Sequence, residues 1–162
     1  MDLPFDPDGF LKPYTAVTAD LESFEKTFVG GFPGSATRGG IFNAYLDWLG
    51  AFKASVCQTG FHQWIDGSFV TRKSNPNDLD IVTFVESGLF VRKKKELHAL
   101  QGDGLLKSRK LDCYFVEVLP SDSRRYFVYQ SDKMYWLHQF SYTKRNPKTD
   151  QRHEKGFIQL NF

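Results

Sequence analysis

Gly67-Ser68 closes an apolar run, Asp78-Leu79-Asp80 follows it, and a third carboxylate, Asp112, stands inside a later apolar stretch. On a strand, residues two apart share a face, so Asp78 and Asp80 project together while Leu79 and Ile81 face the opposite layer. Adjacent carboxylates repel each other and call for a cation. A hard divalent ion, Mg²⁺ or Mn²⁺, takes oxygen ligands and keeps positions for waters and phosphate oxygens. With Asp112 joining from the next strand, three acids can hold two ions about 3.5–4 Å apart, bracketing the attacking and leaving oxygens of an in-line displacement.

The glycine lets the backbone pass close to a phosphate, and Ser68 can open a helical turn whose free N–H groups point at the anion. Arg72 and Lys73, in the connecting segment, are then placed to meet the β- and γ-phosphates of a nucleoside triphosphate. Each piece alone has a plainer reading: Gly-Ser is commonly a turn, and Asp-x-Asp commonly a solvated strand edge. An EF-hand would need further acids and a glycine after Asp80, where Ile81-Val82 stands. Metal-dependent glycosyltransferases use Asp-x-Asp without the preceding Gly-Ser turn. His62, His98, His138 and His153 show no zinc-ligand spacing, and there is no Gly-x-Ser-x-Gly.

The elements that must carry these residues follow from the hydrophobic pattern. Residues 1–17 read as an irregular arm broken by Pro4, Pro7 and Pro13. A helix capped by Thr18 runs to about Val29, and a second covers 38–53, with Arg38 and Lys53 as solvated ends. Strands are expected over 60–65, 79–85 and 111–119, with a charged helix at 88–101 that exposes Lys93, Lys94 and Lys95, and a loop at 102–104. A helix opened by Ser121 or Ser123 runs to about Phe140, burying Phe127, Met134, Trp136 and Leu137. A polar turn at 141–155 leads to a last strand, 156–160, whose Lys155-Gly156 start either lines the cleft or simply begins the strand.

With 162 residues the chain supports one domain, 1–162, whose catalytic core spans 60–119. The net charge of +2 exerts no strong whole-molecule pull on nucleic acid, which leaves only a local basic patch for that role. Cys57 and Cys113 are too few for a disulfide framework; both sit among apolar residues and are expected to be buried and reduced. The start of the chain lacks the basic and apolar regions of a signal peptide, and no apolar run approaches the roughly 20 residues that span a membrane. A cytoplasmic protein is expected.

The order Ile65-Asp66-Gly67-Ser68, then Asp78-Leu79-Asp80-Ile81, then Leu111-Asp112-Cys113 resembles the nucleotidyltransferase superfamily. The fuller phrases at 65–71 and 75–80, the segment 21–29 and the closing 154–158 resemble more closely a group of small bacterial proteins related to the minimal nucleotidyltransferases. The resemblance implies an α/β (α+β) fold, a mixed sheet flanked by helices, with Asp78 and Asp80 as metal ligands. Asp112 would be a further ligand or the base for the acceptor hydroxyl. Relatives often sit in toxin–antitoxin or phage-defence operons, and larger ones carry a separate helical substrate domain that this chain has little room for. The acceptor, RNA, protein or small molecule, is therefore left open, and a partner protein or homodimer is expected to complete its site. A non-catalytic module that senses nucleotides or neutralises a partner is the alternative on the same fold.

Overall fold

A computed structural model describes residues 5–57, 59–101 and 104–162. Its centre is a five-stranded sheet of β1 (Ala16–Ala19), β2 (His62–Asp66), β3 (Leu79–Glu86), β4 (Leu111–Val118) and β5 (Phe157–Asn161), in the order β1-β5-β2-β3-β4. β1 runs parallel to β5 and β3 parallel to β4, while β2 is antiparallel to both its neighbours. The protein is thus an α+β fold with a mixed sheet.

Alternation along the strands sorts side chains onto two faces. Ile65, Leu79, Ile81, Val85, Leu111, Cys113, Ile158 and Leu160 belong to the larger core, with the buried stripe of α2 (Arg38–Val56): Ile41, Tyr45, Trp48, Leu49 and Phe52. Trp64, Val82, Phe84, Val116 and Phe157 form the smaller core on the other face, covered by α6 (Tyr126–Ser141) through Tyr129, Trp136, Leu137 and Phe140. Those α6 positions recur at the seven- and four-residue spacing of one helix face.

Several expectations are corrected. The arm ends in a strand: β1 occupies Ala16–Ala19, and Asp20 rather than Thr18 caps the next helix, α1 (Leu21–Glu25), accepting from Ser23 N at 2.6 Å. α1 continues as a π-helical turn at Lys26–Gly30. α2 ends three residues later than expected, at Val56, where Cys57 takes a left-handed conformation with φ 55° and lies exposed. The 88–101 helix divides into α3 (Ser87–Arg92) and α4 (Lys94–Leu100). Gly104 opens α5 (Gly104–Ser108), while the rest of the expected 102–104 loop lies outside the described residues. On α6, Trp136 and Leu137 pack on the core as expected, but Phe127 and Met134 are exposed, because the stripe continues through Tyr129 and Phe140. No helix among the described residues is long and apolar enough to cross a membrane.

Candidate functional site

The strand register decides the site. Asp66 on β2 lies opposite Asp80 on β3, and Asp80 lies beside Asp112 on β4, so three carboxylates form a row across adjacent strands. By alternation the row shares a face with Trp64, Val82 and Tyr114, the face that α6 covers. At the end of the sheet this cover gives way to a cleft of about 1190 Å³, lined by Asp66, Asp78, Asp80 and Asp112. Asp78, just before β3, completes the group from the same side. All three sequence-predicted acids thus meet in one cleft, joined by Asp66, which the sequence reading had not placed in the site.

Gly67 is glycine for two reasons. Its φ is 87°, and a Cβ there would stand 2.8 Å from the carbonyl oxygen of Asp78. This close approach sets Ser68 against Asp78: Ser68 N donates to Asp78 Oδ1 at 2.9 Å, the Ser68 hydroxyl donates to the same oxygen, and Ser68 Oγ accepts from Asn77 N at 2.8 Å. Phe69 N donates to Asp78 O at 3.1 Å. The amides at 68 and 69 are therefore engaged by Asp78, where free donors aimed at an anion were expected. Arg72 and Lys73 line the same cleft and are exposed.

The loop behind them is held by a residue expected in solvent. Arg38 is fully buried, and its guanidinium donates to Phe28 O (2.8 Å), Phe69 O (2.7 Å), Thr71 O (2.8 Å) and Lys73 O (2.6 Å). It lies 3.8 Å from the ring centroid of Phe32, and its Nε has no partner. Burial lowers its pKa to about 10, so it stays charged at neutral pH. One fork of five N–H donors ties four carbonyls, three of them from 69–73, into a single geometry.

Lys155 settles the alternative left open above: it begins no strand but enters the cleft, where its ammonium pairs with Asp66. Both partners are buried, and Asp66 Oδ1 is left without a hydrogen bond. Burial raises the Asp66 carboxyl to about 6, with the Lys155 charge holding it down. Burial also raises Asp80, to about 7, and the charges of Asp66, Asp78 and Asp112 push the same way. A row of acids with one lysine, one orphaned oxygen and a carboxyl driven toward neutrality is short of positive charge, which fits a hard divalent cation. Among the described residues no three acidic, histidine or cysteine side chains already stand as a ligand set, and Asp78 is turned to Ser68 instead.

Asp66 and Arg38 are what the sequence reading missed. For Asp66 the signal is present: it is two residues from Trp64, and pairing β2 against β3 places it beside Asp80. For Arg38 no local signal exists, since its partners come from residue 28 and from 69–73.

No curated protein and no solved structure matches the chain. The sequence profile of one family, described as a family of unknown function, DUF6932, matches residues 3–161. This chain, with its acid row, its Gly67-Ser68 turn and its buried Lys155, belongs to that family.

Proposed function

We propose that this protein is a nucleotidyltransferase that moves a nucleoside monophosphate from a nucleoside triphosphate to an acceptor. The observation that carries the reading is the row Asp66–Asp80–Asp112, with Asp78 beside it, at the uncovered end of the sheet. The acceptor oxygen bonds to the α-phosphorus, the bond to the bridging oxygen breaks, and its electron pair leaves on pyrophosphate. Asp78, Asp80 and Asp112 would hold Mg²⁺ or Mn²⁺, which when bound supplies neutralisation of the triphosphate charge. Asp112, on the edge strand, serves either in that ligand set or as the base that accepts the acceptor's proton. Arg72 and Lys73 meet the outer phosphates from the loop that Arg38 fixes, and Lys155 keeps Asp66 charged at the back of the cleft. Positioning and preorganised charge supply the rate.

We propose a cytoplasmic location and, from the resemblance to the nucleotidyltransferases, a toxin–antitoxin or phage-defence setting with a partner protein or second copy completing the acceptor side. Radiolabelled triphosphates incubated with cellular RNA and protein test the reaction. Label should pass to one of them with the native chain and to neither with Asp80→Ala, which unfolding curves should show to be folded. Equal labelling by Asp78→Ala and Asp80→Ala would remove these acids from the chemistry.

One observation favours the second reading, a nucleotide-sensing or partner-neutralising module: the amides of the Gly67-Ser68 turn are already taken by Asp78. Calorimetry with a triphosphate, with and without Mg²⁺, separates the two. Tight binding without turnover over a panel of acceptors belongs to the module.

A further inference from the structure

The cleft is larger than a nucleotide requires: about 1190 Å³ exceeds the upper end of the usual range for one small ligand, about 1000 Å³. The acids, Gly67-Ser68, Arg72 and Lys73 line one part of it. The rest is built from different chemistry. Tyr114 follows Asp112 on the same face of β4 and packs on Trp136 of α6, ring centroids 4.5 Å apart. Tyr135 stands edge-on to Trp136 at 5.3 Å, lines the cleft, and remains 57% exposed, so its ring is no part of the core.

Beyond these rings the segment 142–154, expected to be a plain polar turn, doubles back on itself. Tyr142 bridges Glu154, Thr143 N donates to His153 O at 2.9 Å, and Asn146 N donates to Gln151 O at 2.9 Å. This hairpin presents Lys144, Arg145 and Arg152, all exposed, to the cleft. Arg145 reaches Asp150 at 3.1 Å, a solvent-exposed pair of little strength, while among the described residues Lys144 and Arg152 pair with no carboxylate. Apart from the acid row and Asp78 beside it, Asp8 is the one carboxylate among the described lining residues.

An exposed ring, Tyr135, beside a basic strip supplies the two components that hold single-stranded nucleic acid: a base stacks, and phosphates meet the cations. An acidic peptide would use the strip but leave the ring idle. We propose that this wall is a binding track for single-stranded nucleic acid, with a base on Tyr135, whose ring Trp136 backs edge-on, and phosphates on Lys144, Arg145 and Arg152. As the acceptor in group transfer the bound strand rests on the reading above; as a ligand it does not.

The test omits triphosphate and divalent ions. Fluorescence anisotropy of a labelled RNA of about 12 nucleotides, at about 50 mM salt, should show saturable binding with a log–log salt slope of about −2, from three phosphate contacts. The triple variant Lys144→Glu, Arg145→Glu, Arg152→Glu should weaken it at least tenfold and flatten the slope. Tyr135→Ala should weaken it about tenfold with the slope unchanged, the signature of a lost stacking contact. Circular dichroism melts establish that these surface variants are folded. Absence of binding, or binding indifferent to the triple reversal, overturns the track. Equal displacement of the RNA by polyglutamate of matched charge overturns it in favour of an acidic protein partner. RNA that binds yet receives no nucleotide defeats the bound strand's role as acceptor and leaves the track standing; transfer to another acceptor by a chain that ignores RNA defeats the track alone.

Discussion

Asp80→Asn isolates the electrostatic cost of the acid row. In the folded protein the Asp80 carboxyl is raised from 3.8 to about 7. A raised carboxyl binds more protons folded than unfolded, so its contribution to stability is present in acid and is lost as pH climbs from the unfolded value through the folded one. At about 1.4 kcal/mol per pH unit, the interval amounts to about 4 kcal/mol of destabilisation by ionised Asp80 above pH 7. Asp80 is half-buried and faces an open cleft, and solvent screening reduces the measurable part to about 1–3 kcal/mol. Asparagine has the same shape and cannot ionise. In chelator, urea denaturation should therefore find Asp80→Asn more stable than the native chain by about 1–3 kcal/mol near pH 8, the difference shrinking toward pH 5. Added Mg²⁺ should stabilise the native chain and leave the variant behind. An Asp80→Asn chain destabilised equally at both pH values would refute the idea that burial and neighbouring acids oppose the charge there.

The remaining predictions concern the groups that hold the site in place. Arg38→Met, which keeps bulk and removes the fork, should lower stability by about 3–5 kcal/mol in urea denaturation, because four carbonyls lose a buried donor. Gly67→Ala combines a positive φ with a 2.8 Å approach to Asp78 O, and the same measurement should register a loss of about 2–4 kcal/mol. Lys155→Met leaves the buried Asp66 without its counter-charge: the loss should be small near pH 5, where the carboxyl is protonated, and reach about 3–5 kcal/mol near pH 8. Adding Asp66→Asn should restore most of it, and failure to do so would place the role of Lys155 elsewhere.

Local patterns revealed what local physics determines. Leu79 to Val85 is a run of β-branched and aromatic residues buried on both faces, so a central strand is readable from composition, and the shared face of Asp78 and Asp80 follows from their spacing of two. The four-residue β1 pairs with β5 from the far end of the chain, and no nearby residue announces that partner. On α6 more than one apolar stripe fits the sequence, and only the packing on Trp64 and Phe157 selects Trp136 and Phe140 over Phe127 and Met134. The Asp66–Asp80 pairing depends on a register fixed across the whole 67–78 connection. Arg38 defeats sequence reasoning altogether: an arginine at a helix start ordinarily extends into water, and its burial is dictated by carbonyls that two distant segments, at residue 28 and at 69–73, aim at one point.

Asp78 holds the amide of Ser68 with the same carboxylate that a cation would recruit. Drawing that side chain toward positive charge would uncover the amide, and anchoring an anion on the amide would release the side chain. By thermodynamic reciprocity each ligand would then strengthen the other's hold, so under the proposed reading the turn would favour a cation and an anion bound together over either ion alone.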